Sequence, residues 1–243
     1  MARAVAAAAA LLGPASCLAA TGVADGDPFT AAAGLTPTVR LLVGLSLLSF
    51  VPAALIAMTS FTRIVVTLSF LRHALGMPET PPNVVLISLA LFLTVFTMMP
   101  VWERIDQEAV TPYLSKQVND RQALQRAMAP VREFMLAQTR EKDIALILEL
   151  ARVEPPESAE QLSTFHIVPA FMLSELRRAF EIGFILFLPF VLIDIIVASV
   201  LMSLGMIMVP PLAFSLPLKV LMFVLIDGWA LLTSALVRSF VIA

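Results

Sequence analysis

The sequence has few residues of the kinds that form disulfides, metal sites and basic binding surfaces. Its 243 residues include one cysteine, Cys17, and two histidines, His73 and His166. A single cysteine excludes an internal disulfide, and two histidines leave little material for a metal site or a histidine-based catalytic triad. Charged residues make up 14% of the chain, the net charge is −2, and no run of Lys and Arg occurs. This pattern argues against nucleic-acid binding, which needs clustered basic residues to neutralise phosphates.

Apolar residues, in contrast, are abundant. They make up 59% of the chain, and the mean hydropathy is +0.92. Soluble globular domains are about 45–50% apolar and about 25% charged. We therefore predict an all-α, membrane-associated protein, in which hydrophobic helical hairpins flank a small charged helical domain.

The N-terminal residues have the layout of a secretory signal peptide. Within residues 1–20, one arginine precedes a short apolar run, and small residues follow that run. The run is too short to cross a bilayer, which needs about 20 apolar residues. We predict a signal peptide cleaved near Ala20, followed by a flexible lead-in over residues 21–39. A lipoprotein site at Cys17 is the alternative, and Pro14 argues against it because a branched apolar residue is expected there.

Residues 40–102 are predicted to form N-terminal hydrophobic helices and one amphipathic helix. The first apolar run, Leu41 to Met58, is interrupted only by Ser, Gly and one proline. Over residues 60–76 the apolar residues recur at helical spacing, and a glycine and a proline stop the pattern. A second long apolar run, Asn83 to Trp102, ends in a proline and an aromatic residue, as is typical of a membrane–water boundary.

The composition changes sharply at residue 103. Residues 103–181 hold ten of the sixteen basic residues and thirteen of the eighteen acidic ones, and apolar residues remain at helical spacing. We predict a small charged helical domain in water, held between hydrophobic ends.

Residues 182–243 are predicted to form a C-terminal hydrophobic hairpin with a methionine-rich loop. The outgoing run contains one charged residue, Asp194, and the return run contains Asp227. A carboxylate at the centre of a membrane helix costs roughly 2.5–3.5 kcal/mol. In a hairpin the two acids lie at depths that differ by only about 6 Å, so they should not both ionise without a nearby cation. Arg63 and Lys219 are candidate cations, and the acids serve either helix packing or gating and ion coupling.

Four stretches resemble blocks of the FliP/SctR family, in the same order. They are "SFTRIVVTLSFLRHALG", "PAFMLSELRRAFEIGF", "LMSLGMIMVPP" and "PLKVLMFVLIDGW". Members of this family are export-gate proteins of flagellar and virulence type III secretion systems, and the predicted signal peptide favours the flagellar branch. The resemblance covers residues from about 40 to 240. It implies a pore-forming core subunit that conducts unfolded export substrates across the inner membrane during flagellum assembly.

The same resemblance implies a set of partners and a location. Family members assemble in several copies with FliQ-like and FliR-like proteins, next to FlhA-type and FlhB-type export proteins. The expected location is the bacterial inner membrane at the flagellar basal body, with the charged domain on the periplasmic side. Unfolded flagellar export substrates are the expected cargo, and no cofactor is implied.

The resemblance also implies a role for Met206, Ile207 and Met208. The family places a methionine-rich loop between its last two helices, and loops from several copies ring the pore as a gasket. Methionine is unbranched and fills irregular gaps, so such a ring can close when empty and yield to an unfolded polypeptide. Two other interpretations are an ordinary core position and copper(I) binding through thioethers. No His or Cys is nearby to support copper binding, and no metal is predicted.

Further candidate residues lie in "PAFMLSELRRAFEIGF" and "PLKVLMFVLIDGW", which we call the first and the second signature stretch. Glu175, Arg177 and Arg178 are predicted to form ion pairs between subunits, together with the four charged residues discussed for the hairpin. The alternative is a solvated helix face, where exposed pairs contribute only about 0–1 kcal/mol. Gly228 and Trp229 are predicted to form a close-packing point, since glycine admits a neighbouring chain and tryptophan fills the side.

Two other classes of function make different predictions. A small-solute channel or transporter predicts an internal repeat or helices broken at matched positions in two halves. Neither is evident, although Pro52 and Pro189 are candidate breaks. An intramembrane enzyme requires a nucleophile with a base, or a metal motif such as H-E-x-x-H. The sequence contains neither, so no enzymatic activity is predicted.

Overall fold

The computed structural model describes residues 37–154, 156 and 161–240. The predicted signal peptide, Cys17 and nearly all of the lead-in lie outside this part of the chain. Within it the chain is all-α and contains no strand, which confirms the predicted fold class. A π-helical segment, Asp106–Val110, lies between Ile105 and Thr111. The helices are α1 (Pro37–Met58), α2 (Phe61–Ala74), α3 (Asn83–Ile105), α4 (Thr111–Leu114), α5 (Asp120–Gln138), α6 (Glu141–Ala151), α7 (Thr164–Ser203), α8 (Leu212–Leu225) and α9 (Gly228–Arg238).

Helix α7 is the longest helix of the described chain and packs against α2, α5, α6 and α8. Its 40 residues correspond to a length of about 60 Å. Helices α2, α5 and α6 pack on its N-terminal and middle turns, and α8 packs on its C-terminal half. The helix continues without a break through residue 181, where the charged composition ends. The limits of the charged domain at residues 103 and 181 therefore stay a prediction from composition.

Helix α2 supplies much of the apolar core beside α7. Ile64, Leu68 and Leu71 recur at helical spacing and are fully buried. The helix ends just before Gly76, whose φ of +79° lies in the left-handed region that glycine adopts without steric cost. This glycine lets the chain reverse toward α3, so that α3 packs against α2.

Three close contacts hold α2 and the residue before it to neighbouring helices. A β-carbon added at Gly183 would lie 2.6 Å from the Phe70 ring, so this α2–α7 contact requires a glycine. The Phe70 ring also packs edge-on against Phe180, with ring centroids 5.0 Å apart. At the N-terminal end of α2, the buried hydroxyls of Ser60 and of Thr97 in α3 are hydrogen-bonded to each other.

A capping box begins α5. Gln122 N donates to Asn119 Oδ1 at 2.9 Å, and Asn119 N donates to Gln122 Oε1 at 3.3 Å. These bonds satisfy backbone donors that the first helical turn leaves free. Further along α5, Phe134 packs against Phe171 of α7, with ring centroids 6.0 Å apart.

Two helical stretches of the described chain are long and apolar enough to cross a membrane, Asn83–Leu114 and Thr164–Ser203. Helices α8 and α9 have 14 and 11 residues, so they meet the same test only as a pair, and the chain bends by 65° between them. The return limb predicted as one run is thus broken at Asp227, whose φ is +50°. Large apolar side chains remain exposed along the second half of α7, at Phe184, Ile185, Leu188, Leu192, Ile195 and Ile196. A patch of this extent marks a surface that lipid or protein covers.

Candidate functional site

A buried ion pair joins α2 to α7. The Arg63 guanidinium donates from Nε to Glu175 Oε2 at 2.9 Å and from Nη2 to Glu175 Oε1. Both side chains are fully buried. The two parallel hydrogen bonds are the arrangement that a planar guanidinium and a carboxylate favour. Because a buried charge without a partner is costly, each residue makes the burial of the other tolerable.

Arg63 uses all five N–H donors that an arginine offers. Besides the two bonds to Glu175, Nη2 donates to Gln138 Oε1 at 3.2 Å. Nη1 donates to the carbonyl oxygen of Ser239 at 3.0 Å and to its hydroxyl at 3.1 Å. The guanidinium carbon lies 3.8 Å from the centroid of the Phe240 ring, which adds a cation–π contact. One side chain thus links α2, α5, α7 and the residues that follow α9.

A second polar contact lies beside this network and joins α7 to α6. Ser174 Oγ donates to Asp143 Oδ2 at 2.6 Å and accepts from the Arg140 backbone N at 3.1 Å. Both Asp143 and Ser174 are buried. Arg178 Nη1 donates to Gln138 Oε1 at 2.8 Å, so this amide oxygen accepts from two guanidinium groups. We call these two adjacent groups together the polar core, which consists of Arg63, Gln138, Asp143, Ser174, Glu175, Arg178 and Ser239.

The three charged residues predicted in the first signature stretch lie in different environments. Glu175 faces the interior and pairs within the chain, and Arg178 is half-buried beside Gln138. Arg177 is exposed and forms no ion pair with the described residues. The difference follows from the helix period, since consecutive residues of a helix point to different sides. Ion pairing of these residues between subunits remains a prediction.

Asp194 pairs with Lys219, one of its two candidate partners. Lys219 Nζ donates to Asp194 Oδ2 at 2.6 Å and to the backbone oxygen of Ala74, at the C-terminal end of α2, at 3.3 Å. The Lys219 side chain is 4% exposed and that of Asp194 is 41% exposed. The other candidate, Arg63, is committed to Glu175 instead. The Lys219 amine therefore joins α8 to both α7 and α2.

Asp227, Gly228 and Trp229 form the elbow between α8 and α9. Asp227 is exposed, and its carboxylate forms no hydrogen bond or ion pair within the described ranges. A β-carbon added at Gly228 would lie 2.2 Å from the Phe223 ring. The Trp229 ring packs edge-on against the same Phe223 ring, with centroids 5.4 Å apart. The glycine and the tryptophan thus enclose one phenylalanine, and the acid is left on the surface.

The predicted gasket residues lie in the loop between α7 and α8. Met206, Ile207 and Met208 are 40%, 84% and 95% exposed. Gly205 adopts φ +74° just after α7, and Met206 N donates to Leu201 O at 3.0 Å, so the helix end is closed before the loop begins. The loop therefore presents the Ile207 and Met208 side chains almost entirely to the outside, beyond the end of α7, which lies about 42 Å along the helix from the level of Glu175.

Comparison with known proteins gives the relationships of the chain. A model of the FliP family matches residues 44–236. The chain belongs to the FliP family. The flagellar biosynthetic protein FliP of Pectobacterium carotovorum subsp. carotovorum is 53% identical over 205 residues, which cover 84% of this chain and 80% of that protein. The protein of the same name from Bacillus subtilis (strain 168) is 49% identical over 206 residues, which cover 85% and 93%. The FliP of Caulobacter vibrioides is 51% identical over 209 residues.

Sequence reasoning missed several members of the polar core in this FliP-family chain. Gln138, Asp143, Ser174 and Ser239 were not among the predicted site residues. They lie 75 to 176 residues from Arg63 or 31 residues from each other, and no local pattern marks such pairs. The one available signal was Arg63 itself, a cation inside a largely apolar helix, which requires an acid partner. Within the described ranges, no group of three His, Cys, Asp or Glu side chains is placed to hold a metal ion.

Proposed function

We propose that the chain is a pore-forming core subunit of the flagellar type III protein export gate. In this role it conducts unfolded export substrates across the inner membrane during flagellum assembly. The observation that carries the proposal is the family match over residues 44–236, together with relatives named as flagellar biosynthetic proteins that are 43–53% identical to most of the chain. The match includes the polar core up to Arg178 and the whole loop between α7 and α8.

The exposed surface supports assembly with other chains. The second half of α7 and much of α8 expose large apolar side chains. Either lipid or neighbouring subunits can cover such a surface. We propose that several copies of this chain assemble with FliQ-like and FliR-like proteins, next to FlhA-type and FlhB-type export proteins. The charged helices α5 and α6 would lie on the periplasmic side of the inner membrane. Of the three charges in the first signature stretch, the exposed Arg177 is the one available to a neighbouring subunit.

The loop between α7 and α8 is the proposed gasket. Met206, Ile207 and Met208 are apolar, and the last two are exposed almost completely, so an isolated subunit leaves them unpaired in water. In a ring of copies these side chains would pack on each other and close the pore. The unbranched methionines can then rearrange around a passing chain of any sequence, because they have three rotatable bonds.

The test uses a flagellated host that lacks its own FliP and expresses the full chain. An export substrate fused to a stably folded domain should stall in the gate, with its unfolded part inside the pore. A photo-cross-linking amino acid at Met208 should then capture the stalled substrate. The matched control places the same cross-linker at Phe165, an exposed aromatic residue at the other end of α7. This variant should not capture the stalled substrate. If substrate is secreted normally but never cross-links at Met208, this chain does not form the pore there.

A further inference from the structure

Helix α6 begins at a residue whose own side chain does not cap it. This residue is Arg140, which has an extended backbone, with φ −80° and ψ 139°, and makes no side-chain capping hydrogen bond. The usual caps are short side chains with an acceptor, such as Asn, Asp and Ser, whereas a guanidinium has no acceptor. The Arg140 guanidinium pairs with Glu181 of α7 instead, with Nη1 3.6 Å from Glu181 Oε1.

The residue three positions after Arg140 is also too short to complete a capping box by itself. In a capping box this residue is Glu or Gln, and its side chain reaches back to the backbone N–H of the cap residue. Gln122 does so at the start of α5. In α6 the same position holds Asp143, which is one methylene shorter than Glu, and the backbone N of Arg140 donates to Ser174 of α7.

The Ser174 hydroxyl bridges the two groups that a glutamate would join directly. Its Oγ accepts from Arg140 N at 3.1 Å and donates to Asp143 Oδ2 at 2.6 Å. Ser174 is fully buried and Asp143 is 3% exposed, so water cannot take the place of either bond. The start of α6 thus has a complete capping box, and one of its members lies 31 residues further along the chain than Asp143.

Two further residues of α7 bind the same turn between α5 and α6. Arg178 Nη1 donates to Gln138 Oε1 at 2.8 Å, and Glu181 pairs with Arg140. Ser174, Arg178 and Glu181 follow one another at intervals of four and three residues, so they share one face of α7. Of the three, Ser174 is the one that is fully buried and binds the backbone of the turn.

We propose that Ser174 is a positioning residue, which completes the N-terminal cap of α6 and so fixes the charged helices α5 and α6 on α7, in the arrangement that the export gate requires. The cap follows from the contacts of the subunit, and only its need in export rests on the proposed function. Because the cap includes a residue of α7, we expect the first turn of α6 to be stable only when α6 is packed on α7.

Hydrogen–deuterium exchange of the purified full chain in detergent, resolved to single amides, tests the cap. Ser174→Ala should raise the exchange rate of the Arg140 amide about fivefold, the effect typical of one lost helix cap. Adding Asp143→Glu should restore slow exchange, because the longer carboxylate reaches Arg140 N directly and fills the space of the lost hydroxyl. The control is Ser199→Ala, at an exposed hydroxyl further along α7, which should leave the exchange rate unchanged.

Secretion by the same variants, in the flagellated host that lacks its own FliP, tests the role in export. Ser174→Ala should lower the amount of secreted substrate, and the double variant with Asp143→Glu should recover it. This recovery distinguishes a cap from a serine that only fills space, since a larger side chain at position 143 would not replace a purely steric role.

The cap is overturned if Ser174→Ala leaves the exchange of the Arg140 amide unchanged, or if Asp143→Glu does not slow the faster exchange. If the exchange behaves as expected but Ser174→Ala secretes normally, the positioning role in export is rejected. If the unchanged chain fails to secrete in this host, the proposed function fails, and the exchange rates still decide the cap. If Ser174→Ala does not accumulate, Ser174→Cys takes its place, because a thiol fills the space but is a weak hydrogen-bonding group.

Discussion

At the scale of single residues, Arg63 shows why an ion is retained in an apolar interior. All five donors have acceptors, and the ring of Phe240 covers the guanidinium. A lysine has three donors and no planar fork, so it cannot reproduce this set of bonds. Glu175 in turn depends on Arg63, since no water reaches its buried carboxylate. The pair is therefore expected to behave as a unit under mutation.

Arg63→Met should lower the free energy of unfolding by about 3–5 kcal/mol, because it leaves Glu175 charged, buried and unpaired. The double change Arg63→Met with Glu175→Leu should recover much of that loss, since it removes both charges together. Thermal unfolding of the purified chain in detergent measures both. Arg177→Met is the matched control, and at an exposed site its effect should stay within about 0.5 kcal/mol. If the double variant is as unstable as Arg63→Met alone, the unpaired charge of Glu175 is not what destabilises the Arg63→Met variant.

At the scale of elements, Lys219 holds three helices at one point. Its amine contacts α7 through Asp194 and the end of α2 through Ala74 O. The amine is nearly inaccessible, whereas the carboxylate is partly open. Losing the acid therefore leaves a buried cation with one backbone acceptor, while losing the lysine leaves a carboxylate that water can reach.

Asp194→Ala should impair assembly or export more strongly than Lys219→Met. The physical reason is this difference in exposure, because a buried unpaired charge costs more than a hydrated one. Swimming motility and the amount of chain in the membrane measure the effect. Normal motility in the Asp194→Ala strain would reduce Asp194 to a packing role.

The loop between α7 and α8 is an element whose side chains contribute little to the fold of one subunit. Replacing Met206 and Met208 with alanine should therefore leave assembly intact, since neither side chain is buried in the subunit. The closed pore should then leak small solutes, because alanine rings leave a gap. Solute sensitivity of expressing cells measures the leak, and Phe165→Ala is a control with a similar loss of exposed apolar area. Unchanged leakage together with normal assembly would count against the gasket.

At the scale of the whole molecule, the positions of the helices can be predicted from the sequence far better than the contacts between them. The apolar runs at residues 41–58 and 83–102 and the amphipathic pattern at 60–76 correspond closely to α1, α3 and α2. The bend at Asp227 was not predicted, because an aspartate with positive φ has no reliable sequence signal. The site was predicted only in part. Glu175 and Arg63 were both candidates, but their pairing with each other was not.

The sequence by itself determined the all-α fold class, the demand for a covering of lipid or protein, and membership of the FliP family. These properties are local or additive, because hydrophobic period and composition act over short stretches. Only the tertiary structure decided that Arg63 binds Glu175, that Lys219 binds Asp194, and that Asp227 has no partner among the residues the structure describes. Several charged residues could pair with the same partner, and which pair forms depends on how α2 and α8 pack on α7. That docking is a sum of contacts between residues far apart in the chain, so no single stretch contains it.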